Sequence, residues 1–310
     1  MNPSDVSVTI SLFNKEHSVK RAVDSILKQK LQPKSIIIID DGSTDNSSEI
    51  AKKLSSEHPT IRYIYQNNQG VSVARNRGIE EADTDFICLL DADDVWEPNY
   101  MVNLIDLYKH VDDADLYCLA YQMHSEYGML KPKVALSANY KGLVKNFIST
   151  YSKGYGLIHT SAICFRKTFI QKIGGFPEGE SFGEDLYVWL KTGLEGKIAF
   201  TDNISVTLYK EPVNSIKRRE HHPFHVSYFV KNLKKYSNSD QRALKEFLIK
   251  NIYLQWAAAK IEKNSEQKQT LRGYCYQLSK SRWIILTLSE LLPSKIFVFL
   301  RDWRTKQRLR

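Results

Sequence analysis

The first half of the chain alternates short β-rich runs with stretches that carry apolar residues at helical spacing, and this alternation limits its fold most. Strands separated by helices are the pattern of a mostly parallel sheet covered by helices on its faces. Residues 6–13 read as a strand. Residues 18–29 place Val19, Ala22, Val23, Ile26 and Leu27 on one helical face before Pro33 ends the unit. Ile36, Ile37, Ile38 and Ile39 form a continuous β-branched run of the kind found in a strand buried on both faces. The alternation predicts a second helix over 47–56, a third strand over 61–65, a third helix over 71–82 and a fourth strand over 86–90. Asp-rich or Asn-rich turns follow strands two, three and four. Ligands of open α/β sheets bind beyond the carboxyl ends of the strands, so these turns are expected to converge on one site.

Past residue 110 the pattern is mixed, with strands expected near 115–123, 161–166, 197–200 and 204–209 and a helix near 140–150. Gly174-Gly175-Phe176-Pro177 signals a turn ahead of an amphipathic helix that opens on acidic residues at 183–191. The expected organisation is a body of residues 1–224 followed by a mainly helical region of residues 225–310.

The fourth strand ends abruptly in Asp91-Ala92-Asp93-Asp94. Three carboxylates beside a buried apolar run are unfavourable unless a cation or a hydrogen-bonded network relieves them. Oxygen ligands at a rigid strand end suit Mg²⁺ or Mn²⁺, with substrate phosphates completing the coordination. The competing reading is that these residues cap a helix beginning near Pro98.

The neighbouring motifs decide between the two. In order, the chain presents Ser11-Leu12-Phe13-Asn14, Asp40-Asp41-Gly42-Ser43-Thr44-Asp45, Gly70-Val71-Ser72-Val73-Ala74-Arg75-Asn76-Arg77-Gly78, the Asp91–Asp94 cluster and Phe182-Gly183-Glu184-Asp185. As an ordered set over residues 5–215, these strongly resemble the family-2 inverting glycosyltransferases, whose α/β fold is of the GT-A type. The resemblance implies a nucleoside diphosphate sugar as donor, with UDP-sugar favoured, and a divalent cation. It implies a base-contacting role for Asp41 with Ser11 beside it, and a place for Arg75 at the nucleotide pocket. Asp93 takes the metal position, and Asp91 the position that holds ribose, sugar or metal. Asp185 is the expected base toward the acceptor hydroxyl, with Glu184 orienting. Arg77 is expected to pair with Glu80 and Glu81 on the surface, Asp94 to cap the next helix, and His159 to be structural, with a place in the acceptor region as its alternative. His221 or His222 is a further candidate metal ligand that no motif fixes. The setting implied is bacterial-type surface polysaccharide assembly on a glycan or lipid-linked glycan acceptor. The alternatives are a sugar-1-phosphate nucleotidyltransferase, whose early Gly-rich loop is absent here, and a non-catalytic basic membrane-binding module.

The net charge of +9 is unevenly spread: residues 225–310 hold 18 Lys plus Arg against 6 Asp plus Glu, whereas residues 1–224 hold 26 against 29. Such asymmetry suggests that the tail meets an anionic surface. Ile296, Phe299, Leu300 and Trp303 share a helical face with basic residues after them, which suits the interface of an anionic membrane. The same face would also serve for packing on the body or in a homo-oligomer. A nucleic-acid recognition motif is missing, so no nucleic acid is expected as a partner. Cys88, Cys118, Cys164 and Cys275 form no CxxC pair, which points to a reducing cytoplasm. The start of the sequence lacks a signal-peptide pattern, and no apolar run reaches the roughly 18 residues of a membrane span. The expected location is cytoplasmic, peripheral at the inner face of the cell membrane.

Overall fold

A computed structural model of the chain describes residues 1–125, 128–154, 156–180, 182–209 and 223–299. The chain divides into two compact units, Met1–Ser215 and Ile216–Arg310.

In the first unit, β1 (Val6–Leu12), β2 (Ser35–Asp41), β3 (Ile61–Gln66) and β4 (Phe86–Asp91) run parallel in the order β3-β2-β1-β4. They are joined by α1 (Val19–Leu27), α2 (Ser47–Glu57) and α3 (Val71–Glu81). The isoleucines of β2 are shut away from solvent on both faces, as their unbroken run requires. On α1 the buried Val19, Ala22, Val23 and Ile26 recur at helical spacing, so one stripe meets the sheet. α3 comes so close to β1 that a Cβ on Gly78 would stand 2.8 Å from the Cβ of Thr9. Glycine at this position therefore sets how near α3 lies to the strand ends.

After β4 come β5 (Val95–Trp96), α4 (Tyr100–His110), β6 (Leu116–Ser125), β7 (Gly128–Leu130), β8 (Lys141–Leu143) and α5 (Phe147–Lys153). β9 (Ile163–Arg166), α6 (Lys167–Lys172), α7 (Glu184–Glu195) and β10 (Ile198–Tyr209) follow. The sheet continues from β4 through β9, β6, β10 and β5, with β9 antiparallel to both neighbours and β6 parallel to β10. This is the expected α/β fold with a mostly parallel sheet and flanking helices.

Three local expectations need correction. The helix near 140–150 is the edge strand β8 followed by the shorter α5, because Gly142 pairs with Phe200 of β10 and tertiary pairing overrides local propensity. The strand expected from Ser161 begins at Ile163, since Thr160–Ala162 form a 3₁₀ turn. The two strands near 197–200 and 204–209 are one strand, β10, whose register shifts between Thr201 and Val206 as bulges produce.

The second unit contains α8 (Phe224–Asn232), α9 (Asn238–Ile261), α10 (Ser265–Leu278) and α11 (Lys280–Leu288). Leu244, Phe247, Leu248, Ile252, Trp256, Leu271, Cys275 and Leu286 are buried there. Ser237, Asn264 and Ser279 cap the last three helices by accepting the amides of Asp240, Gln267 and Arg282, each cap contributing about 1 kcal/mol. Among the described residues no helix is long and apolar enough to cross a membrane.

Candidate active site

The carboxyl ends of the parallel strands lie along one edge. Ser11 is in register with Ile39 of β2 and Asp91 of β4, and Leu12 with Asp40. Directly after β4 the chain turns back, the Asp94 amide donating to the Asp91 carbonyl at 3.1 Å, and β5 pairs with β10. This pairing draws Asp94 inward. Only 4% exposed, it accepts from the Ser161 hydroxyl at 2.5 Å and the Tyr209 amide at 3.2 Å. Burial, then the charges of Asp91 and Asp93, push its pKa up to about 8. Asp94 is therefore no helix cap; Asn99 holds the N-cap position of α4.

Ser161 gathers the neighbouring groups. Its hydroxyl also accepts the Asp91 amide at 3.2 Å, and its own amide donates to Nδ1 of His159 at 3.3 Å. Trp96 donates through its indole to the Ser161 carbonyl at 2.9 Å and stacks on Tyr100, which fixes this crossing beneath the turn. Ligand atoms of Asp91, Asp94 and His159 all lie within 4.8 Å of one another. Desolvation lowers the pKa of His159, which favours the neutral imidazole. His159 thus caps the 160–162 turn, the structural role expected of it, and does so beside the acidic cluster. Asp93 points elsewhere: its carboxylate meets the Lys15 ammonium at 2.7 Å, and its carbonyl accepts from Arg21 at 2.8 Å.

Arg75 ties distant motifs together. Largely buried, it donates to Asp91 at 3.0 Å, approaches Glu184 to 3.7 Å and lies 5.2 Å over the Phe176 ring. Its Nε and one terminal nitrogen still lack a hydrogen-bond acceptor. Glu184 and Asp185 open α7 behind Gly183, whose φ of +83° is the left-handed region that favours glycine. Asp185 accepts the Leu186 amide at 2.6 Å. Burial, and next the Asp185 charge, raise the pKa of Glu184. The neighbouring Asn76 clamps the turn that leads there, accepting the Phe176 amide at 2.8 Å and donating to the Phe176 carbonyl at 2.8 Å and to Glu178 at 3.0 Å. Sequence reasoning missed Asn76 and Ser161 because their partners are remote in the chain.

Asp41 sits at the same sheet edge but in a separate network. It is buried and accepts from Gln66 at 2.7 Å and from the amides of Gln69 at 2.9 Å and Gly70 at 2.8 Å. No hydrogen bond or ion pair joins it to the Arg75 group among the described residues. Arg77 does not pair with Glu80 or Glu81. It donates to the Tyr65 carbonyl and the Gln66 side chain, both at 3.2 Å, while Glu81 pairs with Arg62. His221 and His222 lie outside the described residues.

The donor set is carboxylate oxygen plus one neutral imidazole, and its crowding is strong enough to shift Asp94. Both features fit a hard divalent cation such as Mg²⁺ or Mn²⁺ held among Asp91, Asp94 and His159, while the Asp93 carboxylate is turned to Lys15. The unspent donors of Arg75 fit an anion.

The family model described as glycosyl transferase family 2 matches residues 7–171, more than half of the chain. The chain belongs to this family. It is 41% identical over 111 residues to YibD of Escherichia coli, named an uncharacterized glycosyltransferase, covering 36% of this chain and 32% of YibD. It is 34% identical over 119 residues to the cholesterol galactosyltransferase of Borreliella burgdorferi, covering 38% of this chain and 33% of that protein. The match thus spans about a third of the length of these curated relatives. The fold is similar to that of S. aureus TarS 1–349 in complex with UDP-GlcNAc, with a TM-score of 0.71 at 17% identity over 99% of this chain and 88% of that one.

Proposed function

We propose that the chain transfers a sugar, with inversion, from a nucleoside diphosphate sugar to a hydroxyl of a glycan or lipid-linked glycan in surface-polysaccharide assembly. UDP is the favoured nucleotide and a divalent cation assists. Residues 1–224 form the catalytic domain in this reading, and residues 225–310 contact the inner face of the membrane. One observation carries it: Arg75 joins Asp91 to Glu184, so two carboxylate motifs 93 residues apart meet beside unspent guanidinium donors. UDP-GlcNAc in the TarS complex supports a UDP-sugar, and the name of the Borreliella relative supports a lipid hydroxyl as acceptor.

Asp185 removes the proton of the acceptor hydroxyl, which becomes acidic as the new bond forms. Glu184 orients the acceptor beside it. Arg75 supplies to the diphosphate the donors that make no hydrogen bond within the protein, Nε and Nη1, the latter 3.7 Å from Glu184. Asp41 has an oxygen, Oδ2, that accepts only the Gly70 amide, leaving room for a donor from the base. Ser11 faces the ribose with Asp91. Asp93, on exchanging Lys15 for the ion, would hold the cation with Asp91, and Asp94 and His159 stand beside Asp91. When bound, the ion would neutralise charge on the departing nucleoside diphosphate. The test is a thermal-shift screen of nucleoside diphosphate sugars with and without Mn²⁺. Stabilisation that needs both a UDP-sugar and Mn²⁺ is expected, and no metal-dependent stabilisation by any donor or nucleoside diphosphate overturns the reading.

A further inference from the structure

The second unit has a surface that its own fold does not account for. Ile284, Ile285, Leu288, Leu291, Leu292, Ile296 and Phe299 are all exposed, from 39% at Ile296 to 82% at Leu291. A run of this kind exceeds the scattered apolar residues of an ordinary surface. Its flanks are cationic, with Lys280 and Arg282 on α11 and Lys295 beyond it.

The same segment lines a cavity of about 520 Å³ with α10, between Ser265, Lys268, Gln269, Arg272, Trp283 and Glu290. Glu290 is engaged through Oε1 by Lys268 at 2.6 Å, which holds its carboxyl below the usual range with further help from Lys260 and Arg272, while its buried Oε2 has no hydrogen-bond partner. Nε of Arg272 is buried and has no acceptor. The cavity wall also includes Gly273, inside α10, where a Cβ would meet nothing within 4 Å. Glycine inside a helix destabilises it relative to alanine, and packing here does not require glycine. Its effect is to keep the cavity open beside the partnerless Nε of Arg272.

We propose that this cavity takes the phosphate headgroup of an anionic membrane lipid while the exposed apolar residues of the 284–299 segment enter the bilayer interface. Arg272 donates to a phosphate oxygen, Lys268 adds charge, and Trp283 sits at the rim, where an indole is partly in lipid and partly in water. The basic excess of residues 225–310 favours the anionic leaflet as partner over a second, equally cationic copy of this chain. This site deepens the reading of a membrane-facing transferase, and its test is independent of donor binding.

Flotation of the full chain with phosphatidylcholine vesicles, with and without phosphatidylglycerol, is the measurement. Capture is expected only with phosphatidylglycerol. Leu288→Ser weakens it, and Arg272→Gln weakens it by about tenfold or more, the equivalent of losing one charge-assisted hydrogen bond. Gly273→Leu also weakens capture without altering any charge, whereas Gly273→Ala raises the melting temperature through helix propensity and serves as the folding control. Capture of the Gly273→Leu chain at wild-type level overturns the cavity, because diffuse attraction alone would then suffice. Failure of the wild type to prefer phosphatidylglycerol overturns the lipid, whether inorganic phosphate alone stabilises the chain or Leu288→Ser instead dissolves an oligomer. The Mn²⁺-dependent donor shift is unaffected in every arm, so failure here leaves the transferase reading standing.

Discussion

β2 and β4 each end an apolar run in aspartates at the same edge of one sheet, yet the two groups live under opposite conditions. Asp40 accepts from the Ser43 amide at 2.9 Å, the Tyr63 hydroxyl at 2.7 Å and the Ser48 hydroxyl. Asp41 likewise accepts from three neutral donors. At β4, Asp91 shares Arg75 with Glu184, Asp93 relies on Lys15, and Asp94 is pushed toward its protonated form. Carboxylates supplied by neutral donors act as clamps that shape the loops, and Asp41 does so while its Oδ2 keeps room for one more donor. Carboxylates crowded together with few donors keep unspent affinity for a cation. The lesson is that donor supply, rather than the aspartates themselves, separates scaffold from site.

This contrast breaks if mutations at the two strand ends behave alike. Asp93→Asn should lower the transfer rate by about a thousandfold, the scale of losing a stabiliser of leaving-group charge. It should change stability by less than about 1 kcal/mol, because its ion pair with Lys15 is a quarter exposed. Steady-state assays and urea melts measure the two effects. Asp40→Ala should do the reverse, costing about 3 kcal/mol in urea unfolding as three donors lose their acceptor inside the fold.

A smaller effect separates the acid sensitivity of the two units. His225 is fully buried, neither ring nitrogen has a hydrogen-bond partner, and burial lowers its pKa to about 3. The unfolded chain therefore binds a proton below about pH 6.5 that the folded one refuses, so stability falls as pH drops from about 6.5 toward about 3. At pH 5 the loss amounts to about 2 kcal/mol, and His225→Leu should remove that slope from melts across the range. An unchanged slope would assign the sensitivity to the carboxylates of the first unit instead.

Local pattern reached far into the first unit. The isoleucine run of β2, the helical stripe of α1 and the apolar run into Asp91 were readable because burial of each depends on spacing within a few residues. It failed at Gly142, whose strand exists through pairing with β10, and at Arg77, whose partners are on β3 rather than one helical turn away. The partners of Asn76, Ser161 and His159 carried no local signal. Asn76 reaches Phe176, 100 residues on, and Ser161 reaches Asp94, 67 residues back.

The sequence by itself determined the alternation of strands and helices, the placement of aspartates at strand ends and the family to which the order of motifs belongs. Only the tertiary structure decided which aspartates are saturated. Hydrogen-bond supply depends on groups brought together from β3, β10, α3 and the 159–161 crossing, and the cost of crowding charges depends on how deeply each is buried. Neither quantity exists along the chain until it folds.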